Sequence, residues 1–164
     1  MTKQQRCRKE VPPLSPLAIA VNDTPEVAGY YQAGLQALEA KDRDKGLIYY
    51  ESPKKIQGSV YLDKATEKCK HPFPGRWDYM IEYNNEIYYY EPHPATGGGK
   101  IDEVCGKADW LLWWLKNNAP KIKALGTKGL YWVHTGTCSI DKNSQQYKKL
   151  MDKGVKLDSR LYMK

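Results

Sequence analysis

Phenylalanine occurs once in 164 residues, whereas tyrosine occurs 13 times and tryptophan five. The aromatic quota is therefore made of rings with a polar handle, which suit half-exposed surfaces as well as cores. No stretch reaches 18 consecutive apolar residues, so no membrane-spanning helix is expected. Four cysteines (Cys7, Cys69, Cys105 and Cys138) show no C-x-x-C spacing, which argues against a zinc ribbon or a redox pair. Thiols in a reducing compartment are the expectation. The three histidines, His71, His93 and His134, lack the spacing of a helical zinc motif. The basic N-terminus leads into Val11–Val21, which Pro12, Pro13 and Pro16 break up, so it makes a poor secretory leader and a cytoplasmic protein is expected. Ala95–Lys100 looks faintly like a phosphate loop but lacks the P-loop frame, because Ile101 follows the lysine.

What is present suits a single folded unit. The chain is 41% hydrophobic and 27% charged, ordinary values that argue against wholesale disorder. Net charge is +7, with basic clusters at Lys3, Arg6, Arg8 and Lys9, at Lys116–Lys128, and at Lys148–Arg160. Such a balance favours polyanionic partners, nucleic acid first, although a merely solvated lysine-rich surface reads the same way.

Residues 1–22 read as a basic, proline-rich arm and 23–164 as one α/β domain. Asp23 or Thr24 before Pro25 is a helix-start signal, and Val27, Tyr31, Leu35 and Leu38 recur at helical spacing, so a helix is predicted from about 24 to 44. Extended segments follow at 47–51 and 56–62, then a brief helix near Asp63–Lys70. Two runs of β-formers, Trp77–Tyr83 and Glu86–Glu91, flank Asn84-Asn85, a pair suited to a tight hairpin turn. A helix is predicted over 101–118, with Trp110, Trp113 and Trp114 widening its apolar face, then a strand at 130–135. A helix at 144–153 and a strand at 155–162 form a C-terminal extension.

A two-residue hairpin loop fixes register. With Asn84 and Asn85 as the turn, Tyr83 faces Glu86 and Asp78 faces Glu91, their Cβ atoms about 5 Å apart on one face. Two ionised carboxylates that close require a raised pKa, a cation between them, or a neutralising partner such as Arg76 or a nearby lysine. Oxygen-only ligation is the habit of Mg²⁺, with Mn²⁺ as a substitute.

The order helix, strand, hairpin, helix, strand, with Trp77-Asp78 opening the hairpin and Glu91-Pro92-His93 closing it, resembles the PD-(D/E)XK nuclease superfamily over about residues 24–135. The resemblance implies a restriction-endonuclease-like core of α-β-β-β-α-β order, with a central mixed sheet flanked by helices. It implies that Asp78 and Glu91 bind Mg²⁺ and that an acidic residue of the first helix, Glu39, adds a ligand. The family's motif lysine is replaced by His93, so either His93 serves near the metal or a lysine arrives from elsewhere, Lys107 or Lys100. Arg76, Tyr89 and Lys100 are the candidate nucleic-acid contacts, Tyr89 by stacking on a base.

The expected function is a Mg²⁺-dependent nuclease acting on DNA or RNA. The alternative is a catalytically degenerate module on the same fold that binds nucleic acid or a protein partner, or pairs as a homodimer. A metal-independent hydrolase using the carboxylates as acid and base stays open as a third reading.

Overall fold

A computed structural model describes residues 12–164. The basic cluster at Lys3–Lys9 and Cys7 lie outside the described residues. Around a mixed six-stranded sheet the elements run α1 (Pro16–Asn22), β1 (Gln32–Ala33), β2 (Ile48–Tyr50), β3 (Ile56–Tyr61), α2 (Leu62–Thr66), β4 (Tyr79–Tyr83), β5 (Glu86–Ala95), α3 (Gly98–Asn117), α4 (Pro120–Lys123), β6 (Gly129–Cys138), α5 (Gln145–Asp152), β7 (Val155–Asp158) and β8 (Leu161–Met163). The sheet order is β1-β3-β4-β5-β6-β7, while β2 and β8 form a separate parallel pair. The first four strands meet antiparallel, and β5-β6-β7 are parallel. Parallel neighbours need crossovers, supplied by α3–α4 and by α5.

The hairpin forms as its turn chemistry dictates. Asn84 and Asn85 adopt φ of 50° and 61°, the left-handed pair of a type I′ turn. The ladder then runs Tyr83↔Glu86, Ile81↔Tyr88 and Tyr79↔Tyr90, the predicted register. Alternation along the strands sorts the residues into two cores. Met80, Tyr89, Ile87, Leu130 and Trp132 face α3, whose Val104, Ala108, Leu111 and Trp114 pack on them. Tyr79, Ile81, Tyr83, Tyr88 and Tyr90 face the other way, covered by Leu38, Ile48, Leu161 and Met163. Trp110 and Trp114 are fully buried and stack with centroids 5.6 Å apart.

The helix predicted from 24 to 44 does not form. Thr24 turns its hydroxyl back onto the Ala20 carbonyl at 2.7 Å, so it closes the end of α1 and does not open a new helix. The start signal operates one proline earlier: Ser15 accepts from the Ala18 amide and Pro16 opens α1, inside the segment read as an extended arm. Gly29 and Gly34 then hold φ of 86° and 56°, which interrupts any helix. The apolar spacing served a different end. Val27 packs in the core under α3 and Leu38 in the opposite core. No single helical face can do both; the chain instead passes round the edge of the sheet, pairing Gln32 and Ala33 with Ser59 and Gly58.

That passage is anchored by one buried carboxylate. Glu82, fully buried on β4, accepts from the Leu17 amide at 2.8 Å and from the Tyr31 hydroxyl at 3.2 Å. Tyr31 crosses β3 over Gly58, the ladder partner of Glu82, where a Cβ would stand 2.1 Å from the ring. The strand predicted at 155–162 divides between two sheets: β7 joins β6 and β8 joins β2, with Ser159 and Arg160 at the break. Among the described residues Cys69, Cys105 and Cys138 form no disulfide, and no helix is long and apolar enough to cross a membrane.

Candidate functional site

Asp78 immediately precedes β4, and its amide donates to Glu91 Oε2 at 2.9 Å, which ties the two carboxylate residues across the hairpin mouth. Both side chains lie on the face that meets α3. From that helix Lys107 reaches down and donates to Asp78 Oδ1 at 3.3 Å and to Glu91 Oε1. Gly75 lies against the stem of this lysine, where a Cβ would come within 3.2 Å of its Cγ. Of the two lysines the resemblance offered, Lys107 is the one that lies between the two carboxylates.

The site is dry enough for its charges to matter. The Glu91 side chain is fully buried, and those of Asp78 and Lys107 are 18% and 19% exposed. Burial raises the Asp78 carboxyl to about 6, against the opposing pull of the Lys107 ammonium. Glu91 is pushed further, to about 8, by burial and then by the Asp78 charge, again with Lys107 opposing. Desolvation lowers Lys107, but its two carboxylate partners outweigh this and hold it above its ordinary value. Two carboxylates and one ammonium leave a cluster that is electrostatically short of positive charge whenever both acids are ionised.

His93, two residues beyond Glu91, shares its face. Its Nε2–H donates to Glu103 Oε2 at 2.8 Å, and its Nδ1 stands 3.8 Å from Glu91 Oε1. With the proton held at Nε2, Nδ1 presents a lone pair to the site. Burial, then the Lys107 charge, keep the imidazole below its usual value despite Glu103. Its carbonyl accepts from Trp132 Nε1 at 2.9 Å, which locks this stretch of β5 against β6. Glu103 itself went unnoticed as a site residue in the sequence. The signal was there: Lys100, Glu103 and Lys107 fall three and four residues apart, a polar stripe along one side of an otherwise apolar helix.

The remaining candidates are placed elsewhere. Glu39 is on a turn, not on a helix, and its carboxylate accepts from the Tyr61 hydroxyl at 3.1 Å and meets Lys41 at 3.5 Å. Glu39 makes no direct bond to Asp78 or Glu91; the Tyr61 hydroxyl that it binds is the group that also feels the Asp78 charge. Arg76 pairs with Asp63 at 3.1 Å, one position to the side of the site, and neutralises neither carboxylate of the pair. Lys100 is half-buried and meets Glu103 at 3.4 Å. Tyr89 does share the face of Glu91, but it is fully buried under α3 and offers no ring to a base.

A second polar cluster joins Glu26, Cys69 and His71, whose ligand atoms lie within 4.8 Å of one another. Its hydrogen bonds assign it a structural part. The Trp110 indole N–H, a donor only, meets His71 Nδ1 at 3.0 Å, so that nitrogen carries the lone pair and Nε2 the proton. The proton points at Glu26, 3.0 Å away, where a metal would need the lone pair. Glu26 also accepts from Trp114 Nε1 and Asn118 Nδ2, and these bonds lower its pKa although burial alone would raise it. The cluster pins residues 24–29 to the end of α3.

Comparison with known protein families, curated proteins and solved structures finds no match for this chain.

Proposed function

We propose that the protein is a divalent-metal-dependent phosphodiester hydrolase acting on nucleic acid, with Asp78 and Glu91 as the metal ligands. The observation that carries this reading is Lys107 held between a buried and a half-buried carboxylate at the open end of a hairpin. A buried charge trio contributes little to stability compared with apolar packing of the same volume, so its presence is best accounted for by chemistry. With β1, β2, α2 and α4 as short insertions, the order α1, β3, β4, β5, α3, β6 supports the same reading.

The donor set fits a hard cation. All the candidate ligand atoms are carboxylate oxygens, and the cluster is short of positive charge when both acids are ionised. Mg²⁺ bound there would polarise a phosphoryl oxygen and stabilise charge in the transition state. The chain's own groups supply the rest. Lys107, released from one carboxylate, orients the attacking water. His93, its proton held toward Glu103, offers Nδ1 as acceptor for the water's proton. Phosphate affinity comes from the lysine-rich surface.

The test is cleavage of labelled oligonucleotides in Mg²⁺ or Mn²⁺. Asp78→Asn and Glu91→Gln are expected to abolish both metal binding and cleavage. Lys107→Met is expected to lower kcat by about 10²-fold, the cost of misplacing the attacking water, while metal still binds. Unchanged cleavage in the Asp78 or Glu91 variant would refute the assignment. One observation favours a second reading: Lys107 already bonds to both carboxylates, as it would in a non-catalytic binding module. That module predicts no Mg²⁺ binding by the wild-type protein in a calorimetric titration.

A further inference from the structure

The carboxyl ends of the parallel strands hold a cavity next to the site that the proposed chemistry does not use. It measures about 430 Å³ and is lined by His134, Cys138, Ile140, Lys142, Leu157 and Asp158. Its place follows from the register. Glu91 pairs with Trp132 and Trp132 with Leu157, while His93 pairs with His134. All lie on the α3 face, since Trp132, Leu157 and Ile140 belong to that core. The cavity therefore begins one strand beyond His93 and ends two strands from Glu91, about 10 Å along the sheet.

Its chemistry is amphipathic in a specific way. Ile140 and Leu157 supply apolar walls, each half-buried and packed on the core behind it. His134 donates from Nδ1 to the Gly136 carbonyl at 2.8 Å, which leaves Nε2 as a hydrogen-bond acceptor. Asp158 accepts from the Ser159 amide through Oδ1 at 2.6 Å, and as the neighbour of Leu157 it leaves β7 on the opposite face, so it borders the cavity without adding an acceptor on the α3 face. Lys142 is exposed at the rim and pairs with no carboxylate among the described residues. One acceptor, two apolar walls and one rim cation suit a single nucleotide. A base ring would lie between Ile140 and Leu157, with an amine or sugar hydroxyl donating to His134 and the phosphate meeting Lys142. The volume falls in the ordinary range for a small-ligand pocket.

We propose that this cavity receives one unstacked nucleotide next to the scissile phosphate, so that the substrate is single-stranded or frayed nucleic acid and not intact duplex. A base paired inside a duplex cannot enter a side cavity without being extruded, at a cost of several kcal/mol. The inference rests on the hydrolase reading for the path of the strand, from Glu91 across His93 to His134.

Binding distinguishes it from that reading. Fluorescence anisotropy of the wild-type protein with a labelled single-stranded 20-mer and its blunt duplex, in Ca²⁺ or EDTA, is expected to favour the single strand at least tenfold. Cys138→Trp, which fills the cavity from an exposed rim position, and Lys142→Glu are each expected to remove most of that preference. Equal affinity for the two forms, or a preference unaltered in folded Cys138→Trp and Lys142→Glu proteins, overturns the proposal. A single-strand preference that both variants lose, without cleavage in Mg²⁺ or Mn²⁺, sustains nucleotide binding in the cavity and refutes the hydrolase with its scissile phosphate.

Discussion

At the scale of single residues the protein turns on Glu91, a carboxyl with no exposure that is held by one amide and one ammonium. Its pKa of about 8 lies above the 4.5 of an unfolded glutamate. Between those values the native state keeps a proton that the unfolded chain has released, so this group makes stability fall as pH rises from about 4.5 to 8. Asp78, raised to about 6 from 3.8, acts in the same direction over its own lower window. Lys107, raised above its ordinary 10.5, contributes stability that is intact throughout this range and is lost only at higher pH. Urea denaturation in EDTA between pH 5 and 9 should therefore show a declining midpoint, and Glu91→Gln should flatten it. A wild-type midpoint that rises over this range would contradict the assignment. Added Mg²⁺ is expected to restore stability at pH 8, because a cation replaces the protons that the carboxylates give up.

At the scale of elements the hairpin β4–β5 is the part that sets the site, since its register brings Asp78 to Glu91. Its turn residues carry positive φ, which Asn tolerates and β-branched residues do not. Asn85 is also clasped by Gln57, which donates to its side chain at 2.7 Å and accepts from its amide at 2.6 Å. Asn84→Gly should therefore leave stability unchanged or raise it by up to about 0.5 kcal/mol, whereas Asn84→Val should cost about 1–2 kcal/mol. Chemical denaturation measures both. A neutral Val variant would show that the turn does not hold the register. Helix α3 matters equally, because its polar stripe carries Lys107 and Glu103 to the strand residues. Neither element makes the site alone.

At the scale of the whole molecule the charge of +7 is the dominant feature. The described lysines include Lys116, Lys121 and Lys123 near the end of α3 and in α4, and Lys148 and Lys149 on α5. If these track phosphates, log K for an oligonucleotide should fall linearly with log salt, with a slope near −0.7 for each single-strand phosphate neutralised. Lys148→Glu combined with Lys149→Glu should reduce that slope without abolishing metal binding. A salt-independent affinity would show that contact is not made through phosphates.

Local chemistry determined much of this protein. The Asn-Asn turn, the alternation on either side of it and the wide apolar face of α3 are written in contiguous residues, and they suffice to pair Asp78 with Glu91. Lys107 was legible only as one option that the family resemblance implied, since no local pattern places it over the hairpin. Only the tertiary structure decided the segment from 23 to 44. Its apolar spacing looks helical, yet Val27 and Leu38 are needed in cores on opposite faces, and a chain rounding a sheet edge leaves no local trace of that. The same holds for Tyr89, whose face was readable but whose burial depended on what α3 laid over it, and for Glu103, which acquired a partner only when β5 and α3 met. Periodicity reports that a residue is buried. Which of two cores takes it is a property of the whole sheet.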